Sequence, residues 1–521
     1  MSINLPPVCI LTAGKGTRMG PFANIINKAL LPLAHKAMIS HIIEGFPTGT
    51  EFIVALGHQS QQVRDYLAMA HPDVSFVYVE VDLLEGPGSG PGYSLGCCKK
   101  HCQRPFYFVA CDTLFTSHQL DTHDDNWIGV AAVDPNVSDQ YCNIALDGDR
   151  VVGIRDKQKS DSSYRAFVGH MFIRDYENFW QALESNVSIQ SELQISNGLK
   201  GLINGQGLKA CLGQWTDVGT FEKFRQAVEE RTDYDFSKTN EFLYFVNHRV
   251  IKFFADAKII KGRVEKVGFR PSVFPEIHSV AEQFYGYDLI PGETLYARNN
   301  PELFKSFLAW LSKELWKPVA VDPEKMKKMC RSFYHTKTME RLAAFEKKYP
   351  GYVYPKTVNG EKILPVREIF ERLDWDSLFV GAPVFIHGDL QFDNVIYDKS
   401  KERFVLLDWR QDFSGEVAVG DLYYDLSKMM GGIILNYDYI KANLFQVEEN
   451  GTDMIVDFAR RYNCLNYEKI FEDFIIAQKL DLSKVRLLIG LIYLNMSPLH
   501  HPPFDRALYG LGSLFLTRML R

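Results

Sequence analysis

The sequence predicts two domains in series: an α/β domain built on a largely parallel sheet, then an α+β domain of two lobes. Three observations predict this. Up to about residue 225, short strand-like runs alternate with amphipathic stretches, the pattern of βαβ units. A polar stretch, EERTDYDFSKTNE at 229–241, then interrupts that alternation. Beyond it a short β-rich piece, FLYFVNHRVIKFF, gives way to a mainly helical remainder. The expected organisation is a domain over 1–228, a linker over 229–241 and a second domain over 242–521.

In the first domain VCILTA, EFIVALG, SFVYVEV, FYFVACD and IGVAAV read as strands. Each is short, rich in β-branched or aromatic residues and bounded by turn formers. SHIIEGFP and QQVRDYLAMA between them read as helices. In the second domain LFKSFLAWLSKELW and MERLAAFEKKY carry helical spacing. The most apolar late segment, VRLLIGLIYLNM from Val485, is broken by Asn495 and Pro498. It is too short to span a bilayer and reads as a core helix.

Composition narrows the function. A chain of 521 residues exceeds one hydrophobic core. A formal charge of -6 argues against a general nucleic-acid or anionic-membrane binder. Nine cysteines at irregular spacing, with no CxxC pair, suggest neither a disulfide framework nor a zinc site. No signal peptide is evident. The expectation is a soluble cytoplasmic protein acting on small molecules, without nucleic acid or membrane insertion, and compatible with a homo-oligomer.

Two motifs carry chemistry. VFIHGDLQFDNVIY at 384–397, with VLLDWR downstream, sets His387, Asp389, Asn394 and Asp408 in the pattern of a phosphoryl-transfer site. An Asp accepts the proton of an attacking hydroxyl, while an amide and a second Asp hold magnesium against a triphosphate. At the other end LTAGKGTRMGPF follows a strand. Gly14, Gly16 and Gly20 let the backbone approach phosphate oxygens, and Lys15 and Arg18 add positive charge. A glycine-rich turn alone is weak evidence; Arg18 and the downstream Lys28 strengthen it.

The stretch from Gly14 to Lys28 resembles the opening of the sugar-phosphate nucleotidylyltransferase family, approximately GxGTRxxPxTxxxPK, with Ala23 in place of Thr and Asn27 in place of Pro. The resemblance implies a Rossmann-like domain in which Gly14, Lys15, Gly16 and Thr17 bind nucleotide, and Arg18 and Lys28 act on the phosphates. EGPGSGPGYSL at 85–95 resembles the segment that reads the base, placing Gly88, Ser89 and Gly90 there. YFVACDTLF and GQWTDVGTFEKF resemble the metal-binding segments, which implies Asp112 and Asp217 as ligands of Mg2+. Lys157 and FVGHMF, with Gly169, resemble the part that contacts the sugar or alcohol phosphate.

HGDLQFDN followed by LLDW resembles the phosphotransferase family of aminoglycoside and choline kinases. That implies a kinase-like second domain with Asp389 as base, His387 bracing its loop, and Asn394 and Asp408 as ligands of a second Mg2+. Lys252 in RVIKFF would reach the nucleotide phosphates, with Glu265 as candidate partner, although no GxGxxG loop precedes it. FYGYDLIPGETL at 284–295 resembles the family hinge, and Asp421 and Asp425 its supporting acids. Lys337 and Arg341 line the acceptor pocket or form a solvated helix face. His500 and His501 read as a turn. An aromatic content of 13% could furnish a cage for a quaternary ammonium, and is equally expected of core packing.

A kinase makes a phosphate monoester and a nucleotidylyltransferase consumes one. The two resemblances together imply a bifunctional enzyme using ATP and a second NTP (CTP, GTP or UTP). It would turn a sugar, polyol or amino-alcohol into a nucleotide-activated precursor for a surface polysaccharide. Two other readings stay open: a choline or ethanolamine kinase joined to a CTP-dependent cytidylyltransferase, and a nucleotidylyltransferase regulated by a non-catalytic kinase-like sensor.

Overall fold

The computed structural model describes residues 5–117, 124–184, 188–230, 240–298 and 300–521. Residues 231–239 of the expected linker lie outside the described residues. The described chain forms two compact units. One comprises the residues up to 230 with 240–255 and Ser279–Gly286; the other comprises Asp256–His278 and Tyr287–Arg521.

The first unit is organised by a nine-stranded sheet. Its order is Ser75–Glu80, Glu51–Leu56, Val8–Leu11, Phe106–Ala110, Arg165–Ile173, Trp127–Ala131, Lys209–Leu212, Arg150–Asp156 and Cys142–Asp147. The first four strands are parallel, with Val8 opposite both Phe52 and Tyr107. Arg165–Ile173 then runs antiparallel to Phe106–Ala110, so the sheet is mixed. The parallel part follows from strands that are apolar on both faces. Ile10, Val54 and Val109 join one core, while Cys9, Ile53 and Phe108 join the other. The helices Met38–Glu44 and Ser60–Ala70 fall on the two predicted amphipathic stretches.

The β-rich piece after the linker is a hairpin, Glu241–Val246 paired with Arg249–Phe254. Asn247 and His248 at its tip have φ of 50° and 60°, the left-handed pair of a tight two-residue turn. Phe242, Tyr244, Val246, Ile251 and Phe253 are buried in the same core as Val8 and Ile10. The Tyr244 hydroxyl donates to Leu30 O at 2.8 Å, and Arg249 donates to Met69 O at 2.8 Å. In packing, the hairpin therefore belongs with the first unit.

The second unit combines small sheets with long helices. Leu482–Met496 crosses Phe504–Met519 so closely that a methyl at Gly490 would lie 3.0 Å from Gly512 O. The first of these contains the apolar segment that begins at Val485, and it is a core helix. Among the described residues no helix is long and apolar enough to cross a membrane. Val395–Asp398 pairs with Arg403–Leu406, Val395 opposite Leu406, and Leu407 N donates to Asn394 O at 2.8 Å. That register brings the end of the HGD loop beside the end of the LLDW strand.

Candidate active sites

The first site lies at the carboxyl ends of the parallel strands, where open α/β sheets place their ligands. Leu11 leads into the glycine loop and Ala110 into Asp112. Gly16 has φ 62°, as the turn requires. Asp217 ends the strand Gln214–Asp217, which pairs with Thr113–Thr116 so that Asp217 faces Thr113, the residue after Asp112. A methyl at Gly219 would lie 2.8 Å from Asp217 Oδ1 and 3.3 Å from Asp112 Oδ2. Both carboxylates thus converge on one cradle that only a glycine leaves open. Two hard oxygen donors around such a space suit a magnesium ion.

Each carboxylate already holds a cation of the chain. Lys28 Nζ donates to Asp112 Oδ2, and Lys223 Nζ lies 2.5 Å from Asp217 Oδ2. The Tyr141 hydroxyl donates to the same Asp217 oxygen at 2.9 Å and also meets Lys223. Burial opposes ionisation of Asp112, but Lys28 and Arg18 outweigh it and hold its carboxyl below the usual carboxylate range. These groups line a cavity of about 890 Å³.

The same cavity gathers Gly14, Lys15, Gly16, Thr17 and Arg18 from the glycine loop. Ser89 and Gly90 line it as well, whereas Gly88 does not; Gly88 N donates to O of the lining residue Ser191 at 2.8 Å. At Gly90 φ is 118°, and a methyl would lie 2.8 Å from Leu193 O. Lys157 also lines the cavity and pairs with Glu192 at 3.0 Å, and Gly169 (φ 79°) passes so close that a methyl would meet Ala110 Cβ at 2.8 Å. The polar groups at these carboxylates that sequence reasoning missed are Lys223 and Tyr141.

In the second unit the HGD loop is fastened from below. The fully buried Asp425 accepts from His387 N at 2.8 Å, from Gly388 N at 2.7 Å and from Trp316 Nε1 at 3.1 Å. Burial raises its carboxyl to about 6 against those bonds. His387 Nε2 bonds Leu407 O at 2.9 Å, while Nδ1 accepts from Asp389 N at 3.1 Å. Burial lowers this imidazole to about 3, so it is a neutral brace between the HGD and LLDW segments. The buried Asp421 accepts from Tyr334 OH at 2.7 Å and from Ala382 N at 2.9 Å, a supporting position like that of Asp425.

Asp389 Oδ1 lies 2.7 Å from Lys428 Nζ and accepts from Gln391 Nε2 at 3.0 Å. Burial opposes ionisation of Asp389, but Lys428 more than compensates and holds its carboxyl low. Asn394 Nδ2 donates to Asp389 O at 2.9 Å, which leaves its amide oxygen as an available donor to a metal. Asp408, at φ 54°, pairs through Oδ1 with Arg263 at 2.6 Å. His387, Asp389, Asn394 and Asp408 therefore form one cluster with Lys428 and Arg263, which sequence reasoning missed.

Lys252 is buried on Arg249–Phe254, across from Leu243, and packs with the first unit. Glu265, read from the sequence as its partner, is exposed on the helix Ala257–Phe269. The phase of that helix turns Arg263 and Lys266 inward instead, three residues apart. Lys266 Nζ donates to Arg410 O at 2.8 Å, so it supports the loop.

An α/β unit with a glycine loop over paired carboxylates, and an α+β unit with an Asp–Asn–Asp cluster, define a transferase that handles nucleotides at two places. Residues 8–140 match the MobA-like NTP transferase domain and residues 277–462 the phosphotransferase enzyme family, so the chain carries one domain of each. Among curated relatives, the "Bifunctional protein GlmU" of Methanococcus vannielii is 26% identical over 219 residues, 40% of this chain and 51% of that protein. The protein of the same name from Bradyrhizobium diazoefficiens is 38% identical over 167 residues, 30% of this chain and 35% of that one. The chain thus spans about half or less of the length of these relatives. Solved structures with similarity include a UDP-glucose pyrophosphorylase complexed with UDP-glucose (18% identity, TM-score 0.38, 43% of this chain and 98% of that one). Another is a putative glucose-1-phosphate thymidylyltransferase from Bacillus anthracis (21% identity, TM-score 0.37, 45% and 98%).

Proposed function

We propose that the chain is a bifunctional enzyme that first phosphorylates and then nucleotidylates one small hydroxylated molecule. Phosphoryl transfer from ATP is assigned to residues 242–521 and nucleotidyl transfer to residues 1–228. The product would be a nucleotide-activated precursor of the kind that surface-polysaccharide assembly consumes. The observation that carries the reading is that one chain holds two sets of charged groups, each suited to one of two consecutive phosphate chemistries.

In the first step Asp389, kept ionised by Lys428, accepts the proton of the acceptor hydroxyl as its oxygen attacks the γ-phosphorus of ATP and ADP leaves. His387 and Asp425 fix the loop that aims Asp389. In the second step a phosphate oxygen of the new monoester attacks the α-phosphorus of an NTP. The bond to the β-phosphate bridging oxygen breaks and pyrophosphate leaves. Arg18 and Lys28 offset the charge gathered on the phosphates. Lys157 and Gly169 take the monoester end, and Ser89 and Gly90 the base. Magnesium ions, held by Asp112 and Asp217 in one site and by Asn394 and Asp408 in the other, would supply charge neutralisation of the phosphates.

The test is product analysis by mass spectrometry with magnesium, ATP, one of CTP, UTP or GTP, and a panel of unphosphorylated alcohols. Wild type should form a nucleoside-diphosphate conjugate. Asp217→Asn should stop at the monoester, and Asp389→Asn should form conjugate only from an acceptor supplied already phosphorylated. If wild type also requires a phosphorylated acceptor across the panel, the two-step reading falls and the second domain is a sensor.

A further inference from the structure

Around the Phe333 ring and Lys428 the second unit gathers four basic side chains. Lys337 and Arg341 stand one turn apart on the helix Lys337–Lys348, Arg410 follows the LLDW strand, and Lys428 lies on the helix Leu422–Ile434. Lys428 is engaged by Asp389. The other three form no ion pair among the described residues. Lys337 Nζ lies 4.1 Å from the centre of the Phe333 ring, and the guanidinium of Arg410 lies 5.0 Å from the same ring. Phe333 is fixed by stacking on Phe413 at 4.2 Å and by an edge contact with Tyr424 at 4.8 Å. Among the described residues Arg410 Nε is buried without a hydrogen-bond partner. Burial, together with the charges of Arg410, Arg341 and Lys428, lowers the Lys337 ammonium to about 6, with Asp412 acting the other way. Like charges held this closely are unfavourable unless an anion sits among them.

We propose that the molecule phosphorylated at Asp389 is itself an anion, whose carboxylate or phosphate is seated on Lys337, Arg341 and Arg410. This deepens the two-step reading and rests on Asp389 as its base. Arg410 N donates to His387 O at 3.0 Å and a methyl at Gly388 would lie 2.7 Å from Arg410 Cβ, so the cluster adjoins the loop that carries Asp389. Tyr424, packed on Phe333, feels Lys428, Arg410 and Asp389 together. The geometry also disfavours a quaternary ammonium at this ring, which is already approached by the Lys337 amine and the Arg410 guanidinium.

The full chain, saturated with Mg–ADP, is titrated calorimetrically with glycerate, glucuronate and glycerol 3-phosphate, then with glycerol, glucose, choline and ethanolamine. At least one of the anions should bind, while the neutral and cationic compounds bind far more weakly. Lys337→Gln and Arg341→Gln should each weaken that binding about tenfold or more, the scale of a lost charge-assisted bond. Mg–ADP affinity should stay unchanged, and Lys337→Arg should restore anion binding, which separates a lost contact from a damaged fold. The proposal is overturned if no anion binds, if a neutral or cationic compound binds as tightly, or if the variants weaken Mg–ADP instead. Lysine-dependent anion binding with no transfer from ATP would sink the kinase reading and leave the anion seat standing. Asp389-dependent phosphorylation of a neutral alcohol would do the reverse.

Discussion

Lys428 determines the state in which Asp389 works. Burial alone would raise the Asp389 carboxyl, and the neighbouring ammonium reverses that direction. A general base must be ionised, so phosphoryl transfer fails as pH falls through the pKa of that carboxyl. Lys428→Met leaves burial less opposed, and the acid limb of kcat should move to higher pH, measured as ADP release across about pH 4 to 8. A limb that stays in place would separate Lys428 from the base. In the other site Lys28 is bonded to Asp112 and lies 3.4 Å from Gly219 O. Removing it as Lys28→Met should lower the rate of pyrophosphate release by about a hundredfold to a thousandfold. A loss confined to KM would mean that Lys28 binds substrate and transition state equally well.

Whole elements decide how these side chains meet. Gly219 precedes the helix Phe221–Glu229, which carries Lys223, and occupies the point on which two carboxylates converge. Gly219→Ala should fold with little change in melting temperature, yet lose nucleotidyl transfer and bind Mn2+ more weakly in this domain. Retained Mn2+ affinity would mean that the cradle is not the metal position. The glycine loop and HGDLQFDN were legible in the sequence because their geometry is local: the backbone fixes the spacing of the groups. Lys428, Tyr141 and Arg263 were not, because each reaches its carboxylate by tertiary packing, whereas Lys223 meets Asp217 only six residues away and depends on how the turn between strand and helix folds back. A faint signal existed for Lys428, a lone cation in the otherwise largely apolar LYYDLSKMMGGII, three residues after the buried Asp425. The packing of the hairpin was hidden for a related reason. The alternation of Phe242, Tyr244 and Val246 shows that one face is buried but not which core covers it.

For the whole molecule, that hairpin makes the chain hard to cut. Phe242, Tyr244 and Phe253 complete the core that includes Tyr66 and Leu30. A fragment ending at residue 228 should therefore melt at a lower temperature and bind more of a hydrophobic dye than one ending at 255. Equal melting would show that the hairpin contributes little to this core. The fourfold pairing of Lys28 with Asp112, Lys223 with Asp217, Lys428 with Asp389 and Arg263 with Asp408 has a different reach. The protein carries its own counter-ions. Binding of a metal–nucleotide at either centre is then an exchange of partners within an already neutralised pocket, and its strength should change little with ionic strength. The seat formed by Lys337, Arg341 and Arg410 has no such ion-pair partner among the described residues, so the grip on the acceptor is the step that rising salt should loosen first.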